Sequence, residues 1–132
     1  MLIGGLAMIQ HGFTRTTEDI DLLIEPSLDN QRKVKRALEI LPDKAIRELG
    51  DEDLRDYLVV RVSDEVLVDL MLSACGISYV EACGESEIVM VRGVPVPMAT
   101  LKILLRMKQT HREKDVLDRK FLEQKLRETP AG

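Results

Sequence analysis

The sequence has no tryptophan, two phenylalanines and two tyrosines in 132 residues, so any core it builds must be aliphatic. It has only two cysteines, Cys75 and Cys83, which form neither a CxxC pair nor a metal-ligand spacing. That usage predicts reduced, buried thiols in a cytoplasmic protein. The two histidines, His11 and His111, have no second ligand at zinc spacing, which argues against zinc. Positive charge is not in surplus. The net charge is −4 and the pI about 5.2, so there is no basic field for generic DNA binding, although a local basic patch remains open. The N-terminus has no basic leader region, and no apolar run is long enough to span a bilayer, so no membrane partner is expected. GxxxxGK[ST] and GxGxxG are both missing, which counts against a P-loop and a dinucleotide fold. There is no internal repeat, low-complexity tract or linker that would divide the chain.

What is present suits one domain spanning residues 1–132. A chain this long buries roughly two thirds of its unfolded surface. The 45% hydrophobic content is that of a globular protein. Gly4 to Gln10 reads as a short helix, with Gly12 as its stop. DIDLLIE, Asp19 to Glu25, alternates as a strand does: Ile20, Leu22 and Ile24 share one face, while Asp19, Asp21 and Leu23 share the other. Pro26 ends it. Ser27 to Leu41 is a helix capped by Ser27, with an apolar stripe of Val34, Leu38 and Leu41. A charged segment, 45–56, contains at most a short helix. Tyr57 to Val62 and Val66 to Leu72 are strands joined by a tight Ser63-Asp64-Glu65 hairpin. Ile77 to Ala82 is a helical turn. Glu87 to Val91 and Val94 to Val96 are short strands around Arg92-Gly93. Met98 to Gln109 is helical. Glu113 to Glu128 is a second helix or its continuation, docked through Leu117, Phe121 and Leu126. Thr129 to Gly132 is frayed.

The acids carry the chemistry. Period two puts the Asp19 and Asp21 carboxylates on one side of their strand. Two such carboxylates repel unless positive charge lies between them. Mg2+ would supply it, because this ion seeks oxygen and links one or two protein carboxylates to substrate phosphates. Asp69 interrupts the apolar strand VLVDLML, and a buried charge needs a partner or a role. If the two strands are neighbours, three carboxylates converge as in a two-metal phosphoryl-transfer site. Gly4 and Gly5 would let a phosphate approach the backbone, and Arg15, Thr16 and Thr17 would hydrogen-bond its oxygens. Each piece alone has an ordinary explanation. A lone D-x-D is usually a solvated strand end, a glycine pair a turn, and an Arg-Thr-Thr cluster a loop. Their order and spacing shift the balance.

The string GGLAMIQHGFTRTTEDIDLLI, followed by Asp69 on a later strand, resembles the nucleotidyltransferase superfamily with the DNA polymerase β-type fold. It is most similar to minimal nucleotidyltransferases and the AbiEii-like toxin group. The resemblance implies an α+β fold: a mixed sheet flanked by helices over residues 1–97, with C-terminal helices over 98–128. It further implies that Gly4 and Gly5 grip the triphosphate and that Asp19 and Asp21 ligate Mg2+. Asp69 would complete the metal site and serve as, or orient, the general base. An NTP would then pass its NMP group to a hydroxyl acceptor. The tail MKQTHREKDVLD is similar to a basic C-terminal helix segment of the AbiEii-like group. There Lys108 or Arg112 would meet phosphates and Asp115 would hold one of them, all on one helix face if the helix is continuous. An ordinary solvated face explains that spacing equally well. Members commonly carry a helix and a fuller strand before the glycine pair. Here three residues precede it, which predicts a stunted first strand. A homodimer or an antitoxin-like partner would then complete the acceptor pocket. A toxin using the same chemistry and a non-catalytic nucleotide-binding domain are the alternatives.

Overall fold

The computed structural model describes residues 1–129. The frayed end expected for Pro130 to Gly132 lies outside the described residues. Strand β1 (Leu2–Ile3) is short and runs straight into helix α1 (Gly4–Gln10). The junction passes through Gly4 at φ +70°, a left-handed angle that favours glycine. Strand β2 (Asp19–Leu23) follows, and then helix α2 (Leu28–Leu38), where Ser27 Oγ accepts the Asn30 N–H at 3.2 Å. A 3-10 turn (Ala45–Glu48) and helix α3 (Asp53–Asp56) fill the charged segment. Strands β3 (Val60–Ser63) and β4 (Leu67–Met71) form a hairpin. Two short strands, β5 (Ser73–Ala74) and β6 (Ile77–Ser78), pair with each other ahead of helix α4 (Tyr79–Cys83). The hairpin of β7 (Ser86–Val91) and β8 (Val94–Ala99) turns at Arg92-Gly93, both at positive φ. Helices α5 (Leu101–Met107) and α6 (Glu113–Glu128) complete the chain.

Six strands join in one sheet of order β3-β4-β2-β1-β8-β7. The β2–β4 and β1–β8 pairs are parallel and the rest antiparallel. This is the mixed α+β architecture expected from the sequence. Short as it is, β1 bridges the two halves: Leu2 pairs with Leu22 on one side and Met98 on the other. The larger core cluster includes Met8, Leu23, Met71, Met98, Leu104 and Leu122, together with other residues of α1, α5 and α6. A smaller cluster around Ile24, Ile46, Val62, Val68 and Leu70 is covered by Val34, Leu38 and Leu41. Both cores are dominated by aliphatic side chains, and the methionines gather in the larger one. At this burial each fully buried side chain contributes roughly 1.5–3 kcal/mol.

Several expectations are corrected. Residues 57–59 are not strand, because β3–β4 pairing stops at Val60–Leu70; Leu58 is 85% exposed. Met98 and Ala99 belong to β8, and α5 starts only after Thr100, whose side chain caps Ile103 N–H. Ile77 and Ser78 are extended, and the helix begins at Tyr79 with Ser78 as its cap. Both cysteines are exposed rather than buried. Cys75 sits in the β5–β6 turn at φ +50°, and Cys83 ends α4. Phe121 packs against the core as expected, but Leu117 is 55% exposed and the fully buried residue of α6 is Leu122. Helices α5 and α6 are separate. Thr110 breaks the path by accepting the Arg112 N–H and donating to Asp115, while Arg119 donates to the carbonyls of Lys108 and Thr110.

Candidate functional site

Parallel pairing of β2 with β4 sets Asp21 opposite Asp69 and Asp19 opposite Leu67. Paired residues in neighbouring strands point to one face, as do residues two apart in one strand. Asp19, Asp21 and Asp69 therefore share a face. The same face continues as Leu23 and Met71 into the larger core, so the acids occupy its polar margin.

Strand β3 extends the row with a residue that the sequence reading did not single out. Arg61 pairs with Asp69 across the hairpin. Its Nε donates to Asp69 Oδ1 at 2.8 Å, and its Nη2 to Asp69 Oδ2 at 3.0 Å and Asp19 Oδ2 at 2.8 Å. A Ser63-Asp64-Glu65 loop would have set Val59 opposite Asp69. The observed loop is Asp64-Glu65-Val66, which brings Arg61 there instead. The Asp64 carboxylate fixes that loop by accepting N–H bonds from Asp43, Ala45 and Glu65 at 2.8–3.0 Å. Its role as an anchor depends on a distant segment and has no local signature.

The electrostatics of the row are uneven. Burial, then repulsion and hydrogen bonding from Asp69, then the charge of Asp19, push the Asp21 carboxyl up to about 6; Lys108 opposes this. The Arg61 hydrogen bond holds Asp69 below its ordinary value, despite burial acting the other way. Asp69 in turn makes the guanidinium harder to deprotonate. Among the described residues no three His, Cys, Asp or Glu side chains form a ready metal-ligand cluster; Arg61 spans Asp69 and Asp19. Carboxylate oxygens are nonetheless the donor type that Mg2+ prefers, and the row carries more negative charge than Arg61 neutralises.

The opposite wall comes from the helical tail. Arg15 Nη1 reaches both oxygens of Asp118 at 2.6 and 2.7 Å. Lys108 Nζ lies 3.0 Å from Asp118 and 3.5 Å from Asp115. The Asp118 side chain is only 2% exposed, so its charge is compensated by these two cations rather than by water. Asp118 also escaped the sequence reading. It lies three residues after Asp115, a helical neighbour, but its partner Arg15 is 103 residues away.

Between the walls lies a cleft of about 570 Å3. Gly4 and Gly5 lie at its floor for steric reasons. A Cβ on Gly4 would fall 2.0 Å from Asp21 Oδ2, and one on Gly5 would fall 2.9 Å from Thr17 Oγ1 and 3.3 Å from Arg15 Nη2. The missing side chains let the β2 acids and the Arg15–Thr17 segment close onto the start of α1. Arg15, Thr17, Lys108, Arg112 and Asp115 line the same cleft as the three acids. Thr16 does not; it is exposed. Lys108, Arg112 and Asp115 do not share a continuous helix face. Lys108 ends α5, Arg112 immediately precedes α6 and Asp115 lies in the first turn of α6. The bend between the helices brings Lys108 and Asp115 together.

No helix among the described residues is long and apolar enough to cross a membrane. The sequence matches no protein-family model and no curated protein.

Proposed function

We propose that this cleft is the active site of a nucleotidyltransferase, which moves an NMP group from an NTP to a hydroxyl acceptor. The observation that supports this reading most is the β2–β4 register, which sets three carboxylates on one face opposite a wall of cations. Asp19 and Asp21 would hold Mg2+, with Asp69 beside them. When bound, the ion supplies charge that neutralises the phosphates and the carboxylates together. Arg15, Lys108 and Arg112 face the acids across the cleft and suit the triphosphate. Asp115 and Asp118 hold Arg15 and Lys108 in place, which limits the side-chain ordering left for substrate binding. In the transfer, the acceptor oxygen bonds to the α-phosphorus and the α–β phosphoanhydride breaks. Pyrophosphate leaves with the bonding electrons, and the hydroxyl proton passes to solvent water. With its basicity lowered by Arg61, Asp69 suits orientation of the acceptor better than capture of that proton.

The test uses NTPs labelled at the α-phosphate, supplied with Mg2+ and a panel of acceptors: the protein itself, total RNA and a small-molecule extract. Label should appear in one acceptor class with wild type and be lost in Asp19→Asn and Asp21→Asn. Transfer that survives both substitutions would overturn the assignment.

A further inference from the structure

Arg61 occupies the acid row in a specific way. It presents Nε and Nη2 as a fork to both oxygens of Asp69 and shares Nη2 with Asp19 Oδ2. It makes no hydrogen bond to Asp21. Its backbone position is set by the antiparallel β3–β4 register rather than by a loose loop. The Arg61 side chain is 49% exposed, but its main partner, Asp69, is only 10% exposed, so this is not an ordinary surface pair. Three carboxylates and one guanidinium leave an excess of two negative charges, which one divalent ion cancels. A second ion would have to displace a fork that already uses both Asp69 oxygens.

Building on the function proposed above, we infer that Arg61 is the resident second cation of this site. The chain takes one divalent ion, at Asp19 and Asp21, and Arg61 fills the place at Asp69 where a two-metal arrangement would put another. This revises the two-metal site that the converging acids suggest. A swinging Arg61 that yields to metal makes the opposite prediction: two ions in the wild type.

Counting bound Mn2+ by the electron paramagnetic resonance signal of the free ion separates these cases without any activity assay. Wild type should bind one ion per chain and Arg61→Gln two. The double variant Arg61→Gln/Asp69→Asn should return to one, and Asp19→Asn/Asp21→Asn should bind none. Gln keeps a polar side chain at a half-exposed position, and a thermal melt verifies its fold. Two ions in wild type, one in Arg61→Gln, or two in the double variant would each overturn the inference while leaving a metal site in place. No ion in wild type would overturn both the inference and the reading beneath it.

Discussion

The two walls of the cleft are built from the same residue types but balanced differently. On the helical wall two buried acids, Asp115 and Asp118, meet two cations, Arg15 and Lys108, and the charges close among themselves. On the sheet wall three acids face one cation: Arg61 pairs with Asp69 and Asp19, and Asp21 is left without it, its pKa raised to about 6. A balanced network is what a protein keeps for structure. An unbalanced one costs stability unless a ligand completes it. The difference separates a wall whose charges are paired from one with unpaired negative charge, the charge that the proposed Mg2+ would offset.

Removing an aspartate from each wall should therefore give losses of unequal size. Asp118→Ala strands Arg15 and leaves Lys108 with Asp115 alone, and it should cost roughly 3–5 kcal/mol in urea unfolding. Asp69→Ala leaves Arg61 half-exposed and still paired with Asp19, and it relieves Asp21, so it should cost clearly less than Asp118→Ala. Equal losses would mean that the walls do not differ. Next in size is Gly4→Ala. The positive φ alone costs about 1–3 kcal/mol, and the new Cβ would press on Asp21.

A smaller effect reports on the imbalance directly. The folded Asp21 carboxyl titrates near 6, against an ordinary 3.8. Between those values the folded state holds a proton that the unfolded chain has lost, so stability falls as pH rises through this window. Acidifying wild type from pH 7 to 5 should stabilise it. Asp21→Asn should lack that gain and be more stable at pH 7 by roughly 1–2 kcal/mol, a figure already reduced for partial solvent screening. The depressed Asp69 acts with the opposite sign but only at more acid pH, below its ordinary 3.8. A flat wild-type profile from pH 4 to 7 would remove the imbalance. The smallest effect belongs to Thr16→Ala, which should change stability by less than about 0.5 kcal/mol and leave any nucleotide response intact.

Local signals made much of this site legible. DIDLLIE carries its strand in its alternation, and Gly4, Gly12 and Ser27 mark the ends of their helices as expected. Asp69 stands out as a charge inside an apolar strand. What escaped depended on long-range placement. Arg61 faces Asp69 only because the hairpin loop sits one residue later than its composition suggests, held by contacts from Asp64 to residues 43 and 45. The bend between α5 and α6 is set by Arg119 and Thr110, whose side chains compete for backbone groups in a stretch of good helix formers. Asp118 gains its meaning from Arg15 at the other end of the chain. The cysteines were misplaced because a thiol's burial follows its turn or helix end rather than its residue type.

The most direct test of the central claim is a thermal-shift series with each NTP, with and without Mg2+, on wild type beside Asp19→Asn/Asp21→Asn. If the sheet wall awaits a metal-bound triphosphate, at least one NTP should stabilise wild type only when Mg2+ is present, and the double variant should show no such shift. A folded wild type that no nucleotide stabilises under either condition would contradict the account.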